Sequence, residues 1–123
     1  MKTKQLITAF ESFAPTYLAN DWDNVGLLVG STDWPADNIL LTIDLTEAVL
    51  QEAISMKANA IVSYHPPIFN PLTSVTDQSF KERVVLDAIA NKIAIYSPHT
   101  SLDVAKGGVN DWIVDGIGKG DVR

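Results

Sequence analysis

Three short apolar runs constrain this chain more than any other feature. Residues 39–43, 60–64 and 92–96 are rich in isoleucine, leucine and valine, and each is too short for a helix of ordinary length. The stretches between them carry a helical period instead. Val49, Leu50, Ala53 and Ile54, with Met56 extending them, fall on one helical face, as do Phe80, Val84, Val85, Ala88 and Ile89. Strand and helix therefore alternate, which requires right-handed crossovers and a mainly parallel sheet. The unbroken apolar run at 39–43 predicts a strand buried on both faces.

The flanks complete the pattern. Residues 4–19 read as an amphipathic helix through Leu6, Ile7, Phe10, Phe13 and Ala14, with Pro15 kinking or ending it. Residues 20–24 read as a polar turn interrupted by Trp22, 25–29 as a short strand, and 31–38 as a loop. Asp44 and Glu47 match a capping box opening the second helix, and Ser79 and Glu82 match another opening the third. The loop 65–77 contains Pro66, Pro67 and Pro71. Residues 109–117 read as a last helix entered through Gly107 and Gly108. The tail from Gly116 to Gly120 reads as a helix C-cap and a frayed end, because no strand precedes it and no helix follows as a phosphate loop would need. The expected fold is one α/β domain over residues 1–123, a mainly parallel or mixed sheet flanked by helices.

Composition narrows the function. At 123 residues the chain fits one domain that buries roughly two-thirds of its unfolded surface. Apolar residues make up 46%, too many for a disordered segment. A net charge of −6, with no cluster of lysine and arginine, gives no electrostatic reason for direct contact with nucleic acid. The absence of cysteine removes disulfides, thiolate-ligated zinc and thiol catalysis. No apolar run approaches the ~20 residues of a membrane span, and Glu11 and Pro15 interrupt any signal-peptide core. The expectation is a soluble intracellular protein without membrane contact.

Open parallel sheets place their sites beyond the carboxyl ends of the strands. Asp44, His65 and His99 each fall just after one of the three apolar runs, and His65 and His99 are the only histidines in the chain. Asp103 lies four positions after His99, on the same face if that segment is helical. Two imidazoles and a carboxylate suit zinc, iron(II), manganese or a similar divalent ion, and a carboxylate has two oxygens with which to bridge a pair. Position alone leaves a second reading of each histidine, a loop-end side chain hydrogen-bonded to backbone. Asp103 taken singly also reads as a cap or surface carboxylate, Asp44 as a helix cap, and Tyr64 as a strand tyrosine. Asp21, Asp23 and Asn24 are within reach of such a site, and a turn needs residues of this kind in any case.

Three ordered segments resemble the Nif-three-like family (NGG-one-interacting factor three), whose bacterial and archaeal members are often labelled type-two GTP cyclohydrolase I homologs. They are Asp21 to Gly30, Ile61 to Phe69 and Tyr96 to Asp103, followed by Gly107 to Asn110. The form of the segment from Tyr64 to Phe69 is most similar to the eukaryotic branch. The resemblance implies a dinuclear-metal site at the mouth of an α/β domain, with two divalent ions per intact subunit and His65, His99 and Asp103 at metal positions. It leaves the catalytic residues unknown. It also implies a homo-oligomer, usually a hexamer, in the cytoplasm with the nucleus as a second compartment. Two activities follow from it. One is a hydrolase acting on a nucleotide-like substrate; the other is a non-catalytic regulatory or scaffold protein that interacts with transcription factors, its metals structural. The chain departs from the family pattern twice. Tyr64 stands where many members have a histidine, and the His-x-x-x-Glu motif that completes both metal spheres is missing before Arg123, as in a truncated chain.

Overall fold

A computed structural model describes residues 1–118 and 120. Its elements run α1 (Thr3–Phe13), a 3-10 turn (Thr16–Leu18), β1 (Gly26–Val29), β2 (Ile39–Thr42), α2 (Glu47–Ser55), β3 (Ala60–Ser63), α3 (Phe80–Ala90), β4 (Ala94–Ser97), α4 (His99–Val104) and α5 (Val109–Ile117). The four strands form one sheet in the order β1-β4-β3-β2. β2 and β4 each pair parallel to β3, and β1 pairs antiparallel to β4. The sheet is therefore mixed, and the fold is α/β as expected.

Alternation along the central strands builds a layer on each face. Ile61 and Ile95 point to one side, where Leu50 and Ala53 of α2 and Val84, Val85 and Ala88 of α3 close over them. Ala60, Val62, Ala94 and Tyr96 point to the other, against Leu6, Ile7 and Phe10 of α1. Successive parallel strands advance in one direction, so crossovers of one hand put α2 and α3 on the same face. The opposite face is left to α1.

The order of elements matches the periodicity, with four corrections. Pro15 ends the first helix outright: α1 stops at Phe13 and a 3-10 turn follows. The second correction concerns residues 39–43: the strand there, β2, is an edge strand of residues 39–42, with Ile43 just past its end. Leu41 is 74% exposed and Ile43 65%, because α1 covers Ile39 and reaches no further along that face. The third concerns the cap of α2, which is Thr46, whose side chain accepts from the Val49 N–H, and not Asp44. The fourth concerns the helical stripes, which are narrower than their sequences imply, for Phe13, Met56, Phe80 and Ile89 are exposed. Ser79 caps α3 as expected, its Oγ accepting the Glu82 N–H at 3.3 Å, but the Glu82 carboxylate accepts from the Ser79 hydroxyl and not from its backbone N–H, so only half of the expected capping box forms.

The entry to α5 also follows expectation. Gly107 adopts a φ of +73°, and a Cβ on Gly108 would lie 2.0 Å from the Leu102 carbonyl oxygen, so the chain turns there only without a side chain. Gly118 is the C-cap of α5. The frayed end expected beyond it falls partly on Lys119 and residues 121–123, outside the described residues.

Candidate functional site

The carboxyl ends of β2, β3 and β4 meet at one edge of the sheet. Asp44 follows β2, Tyr64 and His65 follow β3, and His99 opens α4 after β4. β1 adds a fourth contribution. Because it runs antiparallel, with Gly26 opposite Ser97, its amino end arrives at this same edge and brings Asp23 and Asn24 with it.

The two imidazoles stand 5.4 Å apart between ring centroids, nearly perpendicular. Each is held through Nδ1 by a carboxylate. His65 Nδ1 lies 2.7 Å from Asp44 Oδ1, and His99 Nδ1 lies 2.8 Å from Asp23 Oδ1. A carboxylate on one ring nitrogen sets the tautomer and leaves Nε2 as a lone-pair donor. The His65 side chain is half exposed and that of His99 mostly buried.

Asp23 is the most heavily bonded of these groups, and its side chain is fully shielded. It accepts from His99 Nδ1, from the Thr100 N–H at 3.2 Å, from Thr100 Oγ1, and from the Asn24 N–H at 2.8 Å. Burial pushes its pKa upward, but the hydrogen bonds from Thr100, His99 and Asn24 outweigh it and hold the carboxyl below its ordinary value. His99 itself adopts a φ of +29°, an uncommon backbone state for a residue with a Cβ. Such strain costs about 1–3 kcal/mol, and persists where surrounding bonds over-determine the position.

Asp103 is brought to the site, but its Oδ1 accepts from the Tyr64 hydroxyl. Burial, then the hydrogen bond and charge of Asp103, and the charge of Asp23, push the Tyr64 phenol up to about 12, so it stays a donor. Below the site, Ser63 Oγ donates to the His65 carbonyl at 2.7 Å and Ser97 Oγ to the Tyr64 carbonyl at 3.0 Å. These bonds fix the loop backbone that carries the imidazoles.

The donors fit a borderline divalent ion in chemical type. They fall short in number: among the described residues no group of three or more histidine, aspartate or glutamate side chains stands together as a metal would need. Beside His65 lies a cavity of about 260 Å³, lined by Asp44, Leu45, Thr46, His65, Pro66, Pro67, Phe80, Lys81 and Val84. A larger hollow of about 950 Å³ runs along α5 and includes none of these groups.

Both histidines and Asp103 thus reach the edge that their sequence positions indicate. Asp44 reaches it too, as a histidine partner. Asp23 is the residue that sequence reasoning undervalued. The signal available was its place just ahead of a strand, which becomes informative only once that strand is known to be antiparallel.

Fold and site together define a class: an α/β protein with a histidine–carboxylate cluster at the carboxyl edge of its sheet. The family model described as Duf34/NIF3 (NGG1p interacting factor 3) matches residues 1–123, and the chain belongs to this family. It is 52% identical over 113 residues to NIF3-like protein 1 of Drosophila melanogaster, covering 91% of this chain and 39% of that one. It is 39% identical over 118 residues to a protein of Halalkalibacterium halodurans named GTP cyclohydrolase 1 type 2 homolog, covering 96% and 32%. The crystal structure of a Bacillus cereus protein related to NIF3 superposes with a TM-score of 0.88 at 40% identity, covering 98% of this chain and 33% of that one. The chain thus spans between about a third and two-fifths of the length of these relatives.

Proposed function

We propose that this chain contributes part of a divalent-metal centre, with His65 and His99 donating through Nε2 and Asp103 through a carboxylate oxygen. The observation that carries the reading is the pairing of each Nδ1 with a carboxylate, Asp44 for His65 and Asp23 for His99, which sets the tautomer of two neighbouring imidazoles as carboxylates do for ligating histidines. A divalent ion bound there would supply Lewis acidity. The chain's own residues do the rest. Asp23 and Asp44 hold the imidazoles in one tautomer, while the Tyr64 hydroxyl occupies Asp103 Oδ1 and leaves Oδ2 as its donor atom. The cavity beside His65 gives a substrate access to the edge. The name of the Halalkalibacterium halodurans relative supports a nucleotide-like substrate for the longer protein.

The shortage of donors sets the expected strength. Three side chains cannot complete two coordination spheres, so this chain binds zinc weakly and shows no robust hydrolysis of GTP. Zinc titration followed by competition with a chromophoric chelator tests the centre. Binding that is lost in both His65→Ala and His99→Ala supports the reading, and binding untouched by either substitution removes it. For the hydrolase, the measurement is GTP turnover in the presence of zinc, manganese or iron(II).

A second reading is a non-catalytic scaffold for transcription-regulator partners, its metals structural. It is favoured by α5, which has no buried residue and exposes Trp112 at 58%, Ile113 at 56% and Ile117 at 84%. The same face suits a homo-oligomer. Sedimentation separates the two: a concentration-dependent mass lost in Trp112→Glu supports self-assembly through α5. The family's own description, an interacting factor, supports a protein partner. No helix among the described residues is long and apolar enough to cross a membrane.

A further inference from the structure

We infer that Trp22 and Phe69 form a stacking platform for a planar heteroaromatic ring of the nucleobase kind beside the histidine pair. This rests on the reading above for which edge of the sheet is reactive, and it adds what lies there to recognise a substrate.

Trp22 is 62% exposed and Phe69 44% exposed, yet their ring centroids are only 6.1 Å apart. Trp22 also stands 6.3 Å from the His99 ring, edge to face. The two aromatics therefore make a wall that begins at His99. They touch each other, so a ring would stack on their open faces and not slide between them.

Both side chains sit on backbone that is fastened down. The Asp23 carboxylate, one residue after Trp22, is held by His99 and Thr100. Asn20, two residues before it, donates its N–H to Thr100 Oγ1 at 3.1 Å. Asn24 Nδ2 donates to the Ile68 carbonyl at 2.6 Å, next to Phe69. One turn thus sets Trp22, Phe69 and His99 relative to one another. Exposed aromatics held on ordered backbone lose little freedom when a ligand arrives, the condition under which stacking gives affinity.

The surroundings select the kind of ligand. Asp23, Asp44 and Asp103 make this edge acidic, which disfavours a phosphate on the platform itself. Stacking needs no charge, and every nucleobase offers a π-face. A neutral heteroaromatic ring meets both conditions.

The test uses the chain labelled with fluorotryptophan and observed by fluorine NMR. It has three tryptophans, Trp22, Trp34 and Trp112. Trp22→Phe assigns the Trp22 signal by its loss. Guanosine is expected to move that signal, with ribose phosphate leaving it in place. Phe69→Ala should weaken the guanosine response about tenfold, the loss of one stacking contact. Phe69→Leu, which keeps apolar volume without a π-face, should weaken it as well, and replaces the alanine variant if circular dichroism finds that one unfolded. The platform is overturned if guanosine leaves the Trp22 signal unmoved, or if ribose phosphate moves it equally. It is also overturned if the signal follows protein concentration alone, which would make Trp22 a contact between copies. Zinc titrated into the same sample separates the two ideas. A zinc response without a guanosine response removes the platform and spares the metal centre. A guanosine response that survives His65→Ala, in protein that binds no zinc, does the reverse.

Discussion

His99 Nδ1 lies 2.8 Å from Asp23 Oδ1 across 76 residues of chain, and this bond joins the amino end of β1 to the carboxyl end of β4. It does so at a residue of positive φ. The bond has a structural effect and a chemical one. It helps to hold a strained backbone, and it directs the free nitrogen of the imidazole. Replacing Asp23 should therefore change two independent measurements.

Asp23→Ala leaves the donors of His99, Thr100 and Asn24 without their shared acceptor in a shielded place. Unsatisfied buried donors cost about 1–3 kcal/mol. The urea midpoint should fall by a corresponding amount, with an unchanged slope. Loss of an orienting carboxylate also weakens metal affinity about 10–100-fold. Zinc affinity should fall by that factor in Asp23→Asn even where its midpoint is close to that of the parent. Unchanged zinc affinity in a folded Asp23→Asn protein would separate His99 from any metal role.

Tyr64 donates its hydroxyl to Asp103 Oδ1, and so occupies a carboxylate oxygen of the proposed centre. Tyr64→His removes the phenol that caps Asp103 Oδ1 and adds an imidazole beside His65, whose ring centroid is 5.0 Å from that of Tyr64. One more donor and one released carboxylate should raise zinc affinity by at least tenfold. Tyr64→Phe, which releases the carboxylate and adds no donor, should give a smaller rise. Chelator competition measures both, and equal affinities in all three proteins would exclude Tyr64 from the site.

Glu82 ties the loop after the prolines to the start of α3. It accepts from Ser79 Oγ and Ser74 Oγ, each at 2.7 Å, from Thr76 Oγ1 at 3.0 Å and from the Thr76 N–H at 3.2 Å. Led by the Ser79 bond, these lower its pKa from 4.5 to about 2. A carboxyl lowered on folding binds protons less readily when folded than when unfolded. Its contribution is therefore complete above pH 4.5 and is lost as pH falls towards about 2. Glu82→Gln should flatten the pH dependence of the thermal midpoint across that window and leave the slope above pH 5 as it was. An unchanged acid limb would show that the loop is held by other groups.

Much of this arrangement was legible before any coordinates. The apolar runs and helical stripes give the element order, because a core between layers demands those periods. His65 and His99 read as neighbours because both follow strands of one parallel sheet. What failed, failed for tertiary reasons. Ile39 to Ile43 has the composition of a central strand, but composition does not say how far α1 extends over the sheet. Asp44 and Thr46 both have capping chemistry, and only the path of the turn decides that Thr46 caps α2 while Asp44 meets His65. Asp23 looked like turn material because its partners lie 76 and 77 residues away. The direction of β1, which a four-residue apolar run does not encode, is what brings them together.

Tyr96 offers a test of the core itself. It is 1% exposed, it packs on Phe10 with ring centroids 4.8 Å apart, and its hydroxyl has no hydrogen-bond partner among the described residues. Burial first, and then the charge of Glu11, push that phenol up to about 12, so it is neutral at any pH where the fold is studied. A buried hydroxyl without a partner has lost its water and gained nothing in return. Tyr96→Phe keeps the ring, its contact with Phe10 and the volume of the α1 layer, and removes only the oxygen. Stability should therefore rise by up to about 1 kcal/mol, the scale of one unsatisfied polar group. The opposite substitution of the neighbour, Phe10→Ala, removes the ring that packs on Tyr96; because Phe10 is only partly buried, it should cost about 1–3 kcal/mol, less than truncation of a fully buried phenylalanine. Urea unfolding of both variants measures the pair. A loss of more than about 1 kcal/mol in Tyr96→Phe would mean that the hydroxyl is satisfied in solution. Glu11, the acidic group that acts on this phenol, would then be the acceptor to substitute next.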